Sequence, residues 1–172
     1  DDLVNLSDGN APHFTPLMAA VMAGNKAMTQ FLIDHGADVN FQGQNGDTAL
    51  HVAAQKGFRA VAEVLLANKA DVNAQNKGGW SPLMSAASAN NLEIAKLFLA
   101  AGANSNVENN DGRTPLSYAA GNGSTEMVKM LLAAKADPND GRVDVPLPYA
   151  IHANNAAVAM LLLEAGANPN AK

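Results

Sequence analysis

The sequence predicts an all-α repeat solenoid, a stack of helix-turn-helix units with projecting β-turn fingers. Two short patterns recur along the chain at the same interval. The first is Thr or Ser, usually Pro, and then Leu; it begins at Thr15, Thr48, Ser81 and Thr114, and a variant begins at Val145. The second is Gly or Lys, Ala, Asp or Asn, any residue and Asn; it begins at residues 36, 69, 102, 135 and 166. Both patterns advance in steps of 33, 33, 33 and 31 residues, which indicates stacked repeats of one structural unit.

The period divides the 172 residues into five units within a single domain, 1–172. We expect the repeats at about 10–42, 43–75, 76–108, 109–140 and 141–172. Residues 1–9 are then a remnant of a preceding repeat or a cap, since residues 2–6 are similar to the tail of a repeat. The sequence begins with Asp and shows no signal peptide, so we expect a mature or trimmed form.

Each unit is expected to begin with a short first helix. The hydroxyl of Thr or Ser can cap that helix, and Pro fits its first turn, where the missing N–H costs nothing. The helix should end at residues that tolerate a left-handed conformation, namely Gly24, Gly57, Asn90, Gly123 and Asn154. Ala supplies 34 of the 172 residues, which predicts a core of small side chains between closely packed helices.

The second helix of each unit carries apolar residues at helical spacing, as at Ile94, Leu97 and Phe98. We expect a Gly to end this helix in three of the units. Lys69 and Lys135 stand where that Gly is expected, so these two ends either accept strain or form a different turn. The methionines of the second helices are predicted to pack in the core; they are Met28, Met127, Met130 and Met160.

The run Thr48-Ala49-Leu50-His51-Val52-Ala53-Ala54, together with the Gly-Ala-Asp-x-Asn tail, resembles the ankyrin repeat family. The resemblance covers residues 10–172. It implies L-shaped repeats that stack into a slightly curved, right-handed solenoid, with fingers and first helices on the concave side and second helices outside. It also implies that His51 helps to hold its turn by hydrogen bonding, and that the chain is a protein-binding module.

The composition argues against several classes of function. With 11 Lys and Arg against 16 Asp and Glu, the formal net charge is −5, which disfavours a nucleic-acid binder because such proteins neutralise phosphates with cations. The chain has no Cys, which excludes disulfides, Cys-ligated zinc and thiol catalysis. No apolar run is long enough for membrane insertion. The four His lack metal-ligand spacing and the fingers lack a phosphate-binding Gly-Lys-Ser/Thr, so we expect no metal, no cofactor and no enzymatic activity.

The candidate partner-binding residues are those that vary between repeats on the concave side, because the repeated residues build the scaffold. They lie just before the first pattern, on the first helices and at the finger tips: Phe14, Met22, Gln44, Asp47, Gln55, Lys56, Lys77, Trp80, Ser88, Asp111, Arg113, Asn122, Asp144 and His152. Trp80 is the sole Trp, and we interpret it either as a binding contact or as packing on the neighbouring finger. Tyr118 and Tyr149 occupy equivalent positions and should either stack on each other or pack in the core.

These observations predict a non-enzymatic module that presents a stiff concave face to a protein partner. We expect a monomer, with weak dimerisation through the apolar segment 157–163 as an alternative. The Ala- and Asn-rich composition is similar to that of small bacterial ankyrin proteins, some of them exported, which favours a periplasmic or secreted location. The specific hypothesis is an inhibitor or self-protection protein that covers a partner enzyme, such as an exported cell-wall hydrolase. Two alternatives stay open: an adaptor fragment of a longer ankyrin array, and a bacterial effector that binds a host protein.

Overall fold

The computed structural model describes residues 15–140 and 145–170. These ranges form ten α-helices and no β-strand. The helices follow one another as the pairs α1 (Pro16–Met22) and α2 (Lys26–Asp34), α3 (Ala49–Lys56) and α4 (Arg59–Ala67), α5 (Pro82–Ser88) and α6 (Leu92–Ala100), α7 (Pro115–Gly121) and α8 (Thr125–Ala133), and α9 (Pro146–His152) and α10 (Ala156–Glu164). The first helices pack on one another in series, and so do the second helices. The predicted all-α repeat solenoid is therefore confirmed.

The first helices begin where the sequence predicts. The hydroxyl oxygens of Thr15, Ser81 and Thr114 each accept a hydrogen bond from the backbone N–H three residues later, at 3.3 Å. Pro occupies the first turn of these three helices. Before α9 stands Val145, which provides no side-chain cap. The fifth unit therefore keeps the Pro of the pattern but loses the capping hydroxyl.

Left-handed residues end the helices as predicted. Asn90 and Asn154 have φ values of 55° and 53°, and the glycines at the equivalent positions also have positive φ. Lys69 and Lys135 both have a φ of 66°, so these two ends accept strain, and the alternative of a different turn is wrong. A left-handed conformation costs about 1 kcal/mol for a residue other than Gly, and the packing of the stack holds it in place.

Alanines form the centre of the first-helix layer. The Ala pairs of α3, α5 and α7 are 0% exposed; they are Ala53 and Ala54, Ala86 and Ala87, and Ala119 and Ala120. Because the Ala side chain is a single methyl group, neighbouring helices approach closely at these positions. Larger side chains, among them Leu83 and Phe98, belong to the same continuous core. The Ala excess of the sequence is thus explained by helix stacking.

The methionines of the second helices divide into two groups. Met127 is completely buried and Met130 packs partly buried against the core, as predicted. Met28 and Met160 are 46% and 60% exposed, so the prediction that they pack in the core is wrong. Met28 stands three residues before Phe31, which is also exposed, so both side chains lie on the helix face that points away from the core.

A ladder of asparagine side chains joins successive repeats. Asn73 donates from Nδ2 to the carbonyl oxygen of Gly102 at 3.2 Å, and its Oδ1 accepts from the backbone N–H of Asn104 at 2.8 Å. The same pair of bonds to the next repeat recurs at Asn40, Asn106 and Asn139. The sequence alone assigns these residues only to turns. The structure shows that they also hold the repeats in register.

Candidate functional site

A groove opens where the fingers meet the first helices. The second, third and fourth repeats carry fingers at residues 43–47, 76–80 and 109–113, each closed by a backbone hydrogen bond between its two ends. We number these fingers by their repeats, as the second, third and fourth fingers. The groove lies between the second and third repeats and has a volume of about 470 Å³. Two fingers together with α3 and α5 supply its lining, which consists of Asp47, His51, Val52, Gln55, Asn76, Trp80, Ser85, Ser88 and Ala89. We refer to this surface as the groove.

The fingers are joined to one another, which gives the groove a fixed wall. The backbone N–H of Lys77 donates to the carbonyl of Asn45, and that of Asn110 donates to the carbonyl of Gly78, both at 2.9 Å. Gly79 lies at the second junction with a φ of 76°, and a Cβ at this position would lie 2.8 Å from the backbone N of Asn110. Gly is therefore required both for the turn and for the close contact between fingers.

A half-buried carboxylate belongs to the lining. Asp47 immediately precedes the first pattern of the second repeat, and its Oδ1 accepts a hydrogen bond from Asn76 Nδ2 at 2.7 Å. The Oδ1 of Asn76 in turn accepts from the backbone N–H of Gly78 at 2.9 Å and of Trp80 at 3.0 Å. The third finger thus holds the amide that orients the Asp47 carboxylate.

His51 is a structural residue of the groove. Its Nδ1 accepts from the backbone N–H of Thr48 at 3.2 Å, and its Nε2–H donates to the carbonyl of Trp80 at 2.8 Å. Burial lowers the pKa of His51, against opposing effects of the Trp80 carbonyl and the Asp47 carboxylate, so the ring is neutral at pH 7. The expected role of His51 in holding its turn is confirmed. The ring also ties the second repeat to the third finger.

Trp80 both packs on a neighbour and lines the groove. Its ring centroid lies 4.5 Å from that of Tyr118, with the two planes tilted by 39°. The side chain is half-buried, and part of it remains accessible from the groove. Trp80 therefore packs on the neighbouring repeat, but its ring contact is with Tyr118 of α7, whereas the sequence interpretation placed the packing on the neighbouring finger. This packing leaves surface for a binding contact.

Side chains of the protein itself fill the concave side at the fourth and fifth repeats. The Oη of Tyr118 accepts a hydrogen bond from Asn109 Nδ2 at 2.9 Å. The guanidinium carbon of Arg113 lies 5.9 Å from the ring centroid of Tyr118 and 5.2 Å from that of Tyr149. Instead of stacking on each other, the two tyrosines share this contact with Arg113 and pack against the core. We refer to the cluster of Arg113, Tyr118 and Tyr149, together with the Trp80 ring that packs on Tyr118, as the filled region.

One positional rule relates the groove to the filled region. We count the Thr, Ser or Val that begins the first pattern as residue one, so that Ser85, Tyr118 and Tyr149 are each the fifth residue. The residue just before the pattern of one repeat lies next to the fifth residue in the following repeat. Trp80 contacts Tyr118 in this way, and Arg113 contacts the equivalent Tyr of the fifth repeat. The corresponding residues at the groove are Asp47 and Ser85. Because Ser85 stands where the next two repeats carry Tyr, the space stays open.

The groove brings together four of the predicted binding residues, Asp47, Gln55, Trp80 and Ser88. Arg113 belongs to the filled region instead. Nδ2 of Asn122 donates to the carbonyls of Ala87 and Ser88 at 3.2 and 2.7 Å, so its amide caps the end of α5. Exposed residues outside the groove lining are Met22, Gln44, Lys56, Lys77, Asp111 and His152, whereas Phe14 and Asp144 lie outside the described residues.

Sequence reasoning did not identify Val52, Asn76 or Ser85 as groove residues. For Val52 and Ser85 a signal was available, since the same position of the repeat carries Tyr118 and Tyr149 farther along the chain. A position that changes from small to aromatic side chains alters the shape of the concave surface. Asn76 carries no such signal, because its role depends on a hydrogen bond to another repeat.

The described residues contain neither a membrane-spanning helix nor a metal site. Within residues 15–140 and 145–170, no helix combines the length and apolar character needed to cross a membrane. The same part of the chain brings no three Asp, Glu or His side chains into an arrangement that could hold a metal ion. The groove offers hydrogen-bonding groups, one carboxylate and one aromatic ring to an occupant.

A stack of helix pairs with a preformed groove between fingers and first helices defines a solenoid of the class that binds proteins. The chain belongs to the ankyrin repeat family. The family described as ankyrin repeats in three copies matches residues 2–76 and 83–172, and that described as ankyrin repeats in many copies matches residues 59–99. Ankyrin repeats are protein–protein interaction modules, so the predicted protein-binding class is confirmed.

A protein of Rickettsia prowazekii (strain Madrid E), named for its ankyrin repeats, is similar to part of the chain. The two are 40% identical over 42 residues, which are 24% of this chain and 39% of that protein. The chain therefore matches well under half of the length of this relative. A match of this extent supports the family and indicates no activity or partner.

Proposed function

We propose that this chain binds a segment of a partner protein in the groove and acts by binding, without catalysing a reaction. The open space beside Ser85 carries this proposal. The equivalent spaces in the next two repeats are occupied by Tyr118 and Tyr149, so the scaffold can be closed by its own side chains. The space beside Ser85 is open, and the groove of about 470 Å³ has room for several side chains of a bound segment.

The groove is preorganised for binding. Trp80 is held against Tyr118, and Asp47 is held by Asn76, before any partner arrives. Side chains that are already ordered lose little conformational entropy on association, so more of the contact energy contributes to affinity. Trp is also among the residues that most often dominate binding energy. We therefore expect Trp80 to be the central contact.

Closing the groove with a single side chain tests the proposal. Ser85→Tyr copies the arrangement at Tyr118 and should fill the space. The full chain is used to capture a partner from a lysate of the source organism, and the affinity of the purified pair is measured by calorimetry. We expect Ser85→Tyr to weaken binding at least about 30-fold, which corresponds to about 2 kcal/mol.

Ala19→Tyr is the matched control. Ala19 occupies the same position in the first repeat, is exposed and lies outside the groove lining. This variant should bind the partner with the affinity of the unmodified chain, and circular dichroism should show the same helix content for both variants. If Ser85→Tyr also binds with unchanged affinity, the groove is not the binding site.

We propose further that binding covers the active site of a partner enzyme, with an exported cell-wall hydrolase as the first example to test. The compositional similarity to small exported ankyrin proteins supports this sharper hypothesis, and a rigid groove is suited to hold a loop of an enzyme. The rate of the captured enzyme is measured with and without a saturating concentration of the chain. A rate that does not change would refute inhibition and leave the proposal of binding intact.

A further inference from the structure

We propose that the partner segment in the groove carries a Lys or Arg side chain, whose cation pairs with Asp47 while its aliphatic stem lies along Trp80. This inference rests on the proposed function, because it names the chemistry of the segment that the groove binds. Three observations carry it: the charge of the lining, the absence of a cation beside Asp47, and the arrangement of Arg113 in the filled region.

Among residues 15–140 and 145–170, the lining of the groove carries one formal charge, that of Asp47, and includes no Lys or Arg. The other polar lining groups are neutral; they are the amides of Gln55 and Asn76, the hydroxyls of Ser85 and Ser88, and the buried imidazole of His51. A segment complementary to this surface therefore presents one positive charge next to Asp47.

Asp47 has no ion-pair partner among the described residues. The ion pairs in that part of the chain lie on α4, α6 and α8, outside the groove lining. The Asp47 carboxylate accepts one hydrogen bond, from Asn76. A neutral segment that covered the carboxylate would remove it from water without compensation, which is costly for a charged group. A Lys or Arg side chain replaces the lost hydration with an ion pair.

The filled region shows how this face of the protein accommodates a cation. There, the Arg113 guanidinium lies 5.9 and 5.2 Å from the ring centroids of Tyr118 and Tyr149. In the groove, the aromatic ring of Trp80 and the carboxylate of Asp47 are both in place, and no Lys or Arg stands among the described lining residues. A basic side chain of the partner places a cation beside an aromatic ring, as Arg113 does in the filled region, and adds an ion pair with Asp47.

A random peptide library tests this chemistry without knowledge of the natural partner. A display library of random 12-residue peptides is selected on the immobilised full chain and, in parallel, on Asp47→Asn and Asp111→Asn. Asn at position 47 keeps an oxygen that can accept from Asn76 and removes the charge, and Asp111 is an exposed finger residue outside the groove lining. We expect Lys and Arg to be enriched severalfold in peptides selected on the unmodified chain and on Asp111→Asn, and not on Asp47→Asn.

Selection of peptides without enrichment in Lys or Arg would overturn the proposal. So would the same enrichment on Asp47→Asn, or failure to recover any peptide that binds the unmodified chain more tightly than Ser85→Tyr.

One selected peptide that contains Arg and lacks Trp then serves in a titration. Trp80 is the sole Trp of the chain, so its fluorescence reports directly on the groove. We expect Asp47→Asn, or replacement of the peptide Arg by Leu, to weaken binding about tenfold, and the two changes together to weaken it little further. Additive losses would show that the Arg does not pair with Asp47.

The same variants distinguish this inference from the proposed function. If the natural partner binds Asp47→Asn as tightly as the unmodified chain but fails to bind Ser85→Tyr, the groove remains the binding site and the proposal of a basic side chain is refuted. If Ser85→Tyr still binds the partner, the proposal that the groove is the binding site is refuted.

Discussion

The groove and the filled region are built on the same backbone and differ in their side chains. The third and fourth fingers are closed by equivalent backbone hydrogen bonds, of 2.9 Å between Asn76 N and Trp80 O and of 3.0 Å between Asn109 N and Arg113 O. The regions diverge at the fifth residue of the first pattern, where Ser85 leaves space and Tyr118 fills it. A single side chain at this position therefore opens or closes the concave side of the repeat scaffold.

The two regions also differ in how their charged groups are satisfied. In the filled region the Arg113 guanidinium lies near two tyrosine rings of the same chain. In the groove the Asp47 carboxylate accepts one hydrogen bond and faces space that another molecule can enter. The filled region is therefore expected to contribute mainly to stability, and the groove mainly to binding.

The largest effect is expected at the junction between the two regions. Gly79 has a φ of 76°, and a Cβ there would lie 2.8 Å from the backbone N of Asn110. Gly79→Ala should lower the free energy of unfolding by about 3 kcal/mol in urea denaturation, because it combines backbone strain with a steric clash. Gly102→Ala is the control, since Gly102 has a φ of 88° and no atom lies within 4 Å of a Cβ at this position. This variant should lower the free energy of unfolding by about 1 kcal/mol. Equal losses would show that the fingers do not meet in a tight contact.

Opening the filled region should have a smaller effect. Tyr118→Ser copies Ser85 and removes the contacts of the ring with Trp80 and Arg113 and the hydrogen bond from Asn109. For a half-buried aromatic side chain, we expect the free energy of unfolding to fall by about 2 kcal/mol. The fluorescence of Trp80 in the folded variant should also shift to longer wavelength, because the covered face of its ring meets water. An unchanged stability would contradict the stabilising role of the filled region.

His51 links the second repeat to the third finger and should make stability depend on pH. Burial lowers the pKa of His51 below its ordinary value of 6.5, so the unfolded chain binds the proton more tightly than the folded chain does. This contribution to the free energy of unfolding is therefore fully present above pH 6.5 and is lost as the pH falls through the folded-state pKa.

His51→Gln keeps a side chain that can complete the cap at Thr48 and removes the titrating group. At pH 7.5 we expect His51→Gln to lower the free energy of unfolding by about 1 kcal/mol, because the hydrogen bond to the Trp80 carbonyl is lost. The free energies of unfolding of the two proteins should converge as the pH is lowered towards 5. Parallel pH profiles for His51→Gln and the unmodified chain would contradict the assignment to His51.

The smallest effect on stability is expected when the groove is filled. Ser85 is half-buried, and its hydroxyl makes a single long contact of 3.5 Å, to the carbonyl of Ser81. Ser85→Tyr should change the free energy of unfolding by less than about 0.5 kcal/mol in urea denaturation, because the new ring enters open space. A loss of about 2 kcal/mol or more would mean that the groove cannot accept a side chain of this size.

Much of the scaffold could be predicted from the sequence because its local signals repeat. The capping hydroxyl of Ser81 and the left-handed residue Asn90 both belong to patterns that recur every 33 residues. For Tyr118 and Tyr149 the alternative of core packing is confirmed and that of mutual stacking is wrong. The side chain of Arg113 reaches both rings, and equivalent positions in the sequence do not reveal such a contact.

The shape of the groove could not be predicted, because it depends on contacts between repeats. Asn76 orients the Asp47 carboxylate although the two residues are 29 positions apart in the sequence, and no local pattern indicates that they form a hydrogen bond with each other. Four groove residues were nevertheless found, since variation among otherwise repeated positions is visible in the sequence; they are Asp47, Gln55, Trp80 and Ser88.

Direct contact of a partner with Trp80 is the most decisive observation to seek. Because the chain has one Trp, biosynthetic replacement by 5-fluorotryptophan gives a single ¹⁹F resonance from the groove. We predict that a saturating concentration of the unlabelled partner shifts this resonance in the unmodified chain and in Ala19→Tyr. Formation of the complex with no change in the ¹⁹F resonance would contradict the groove as the binding site.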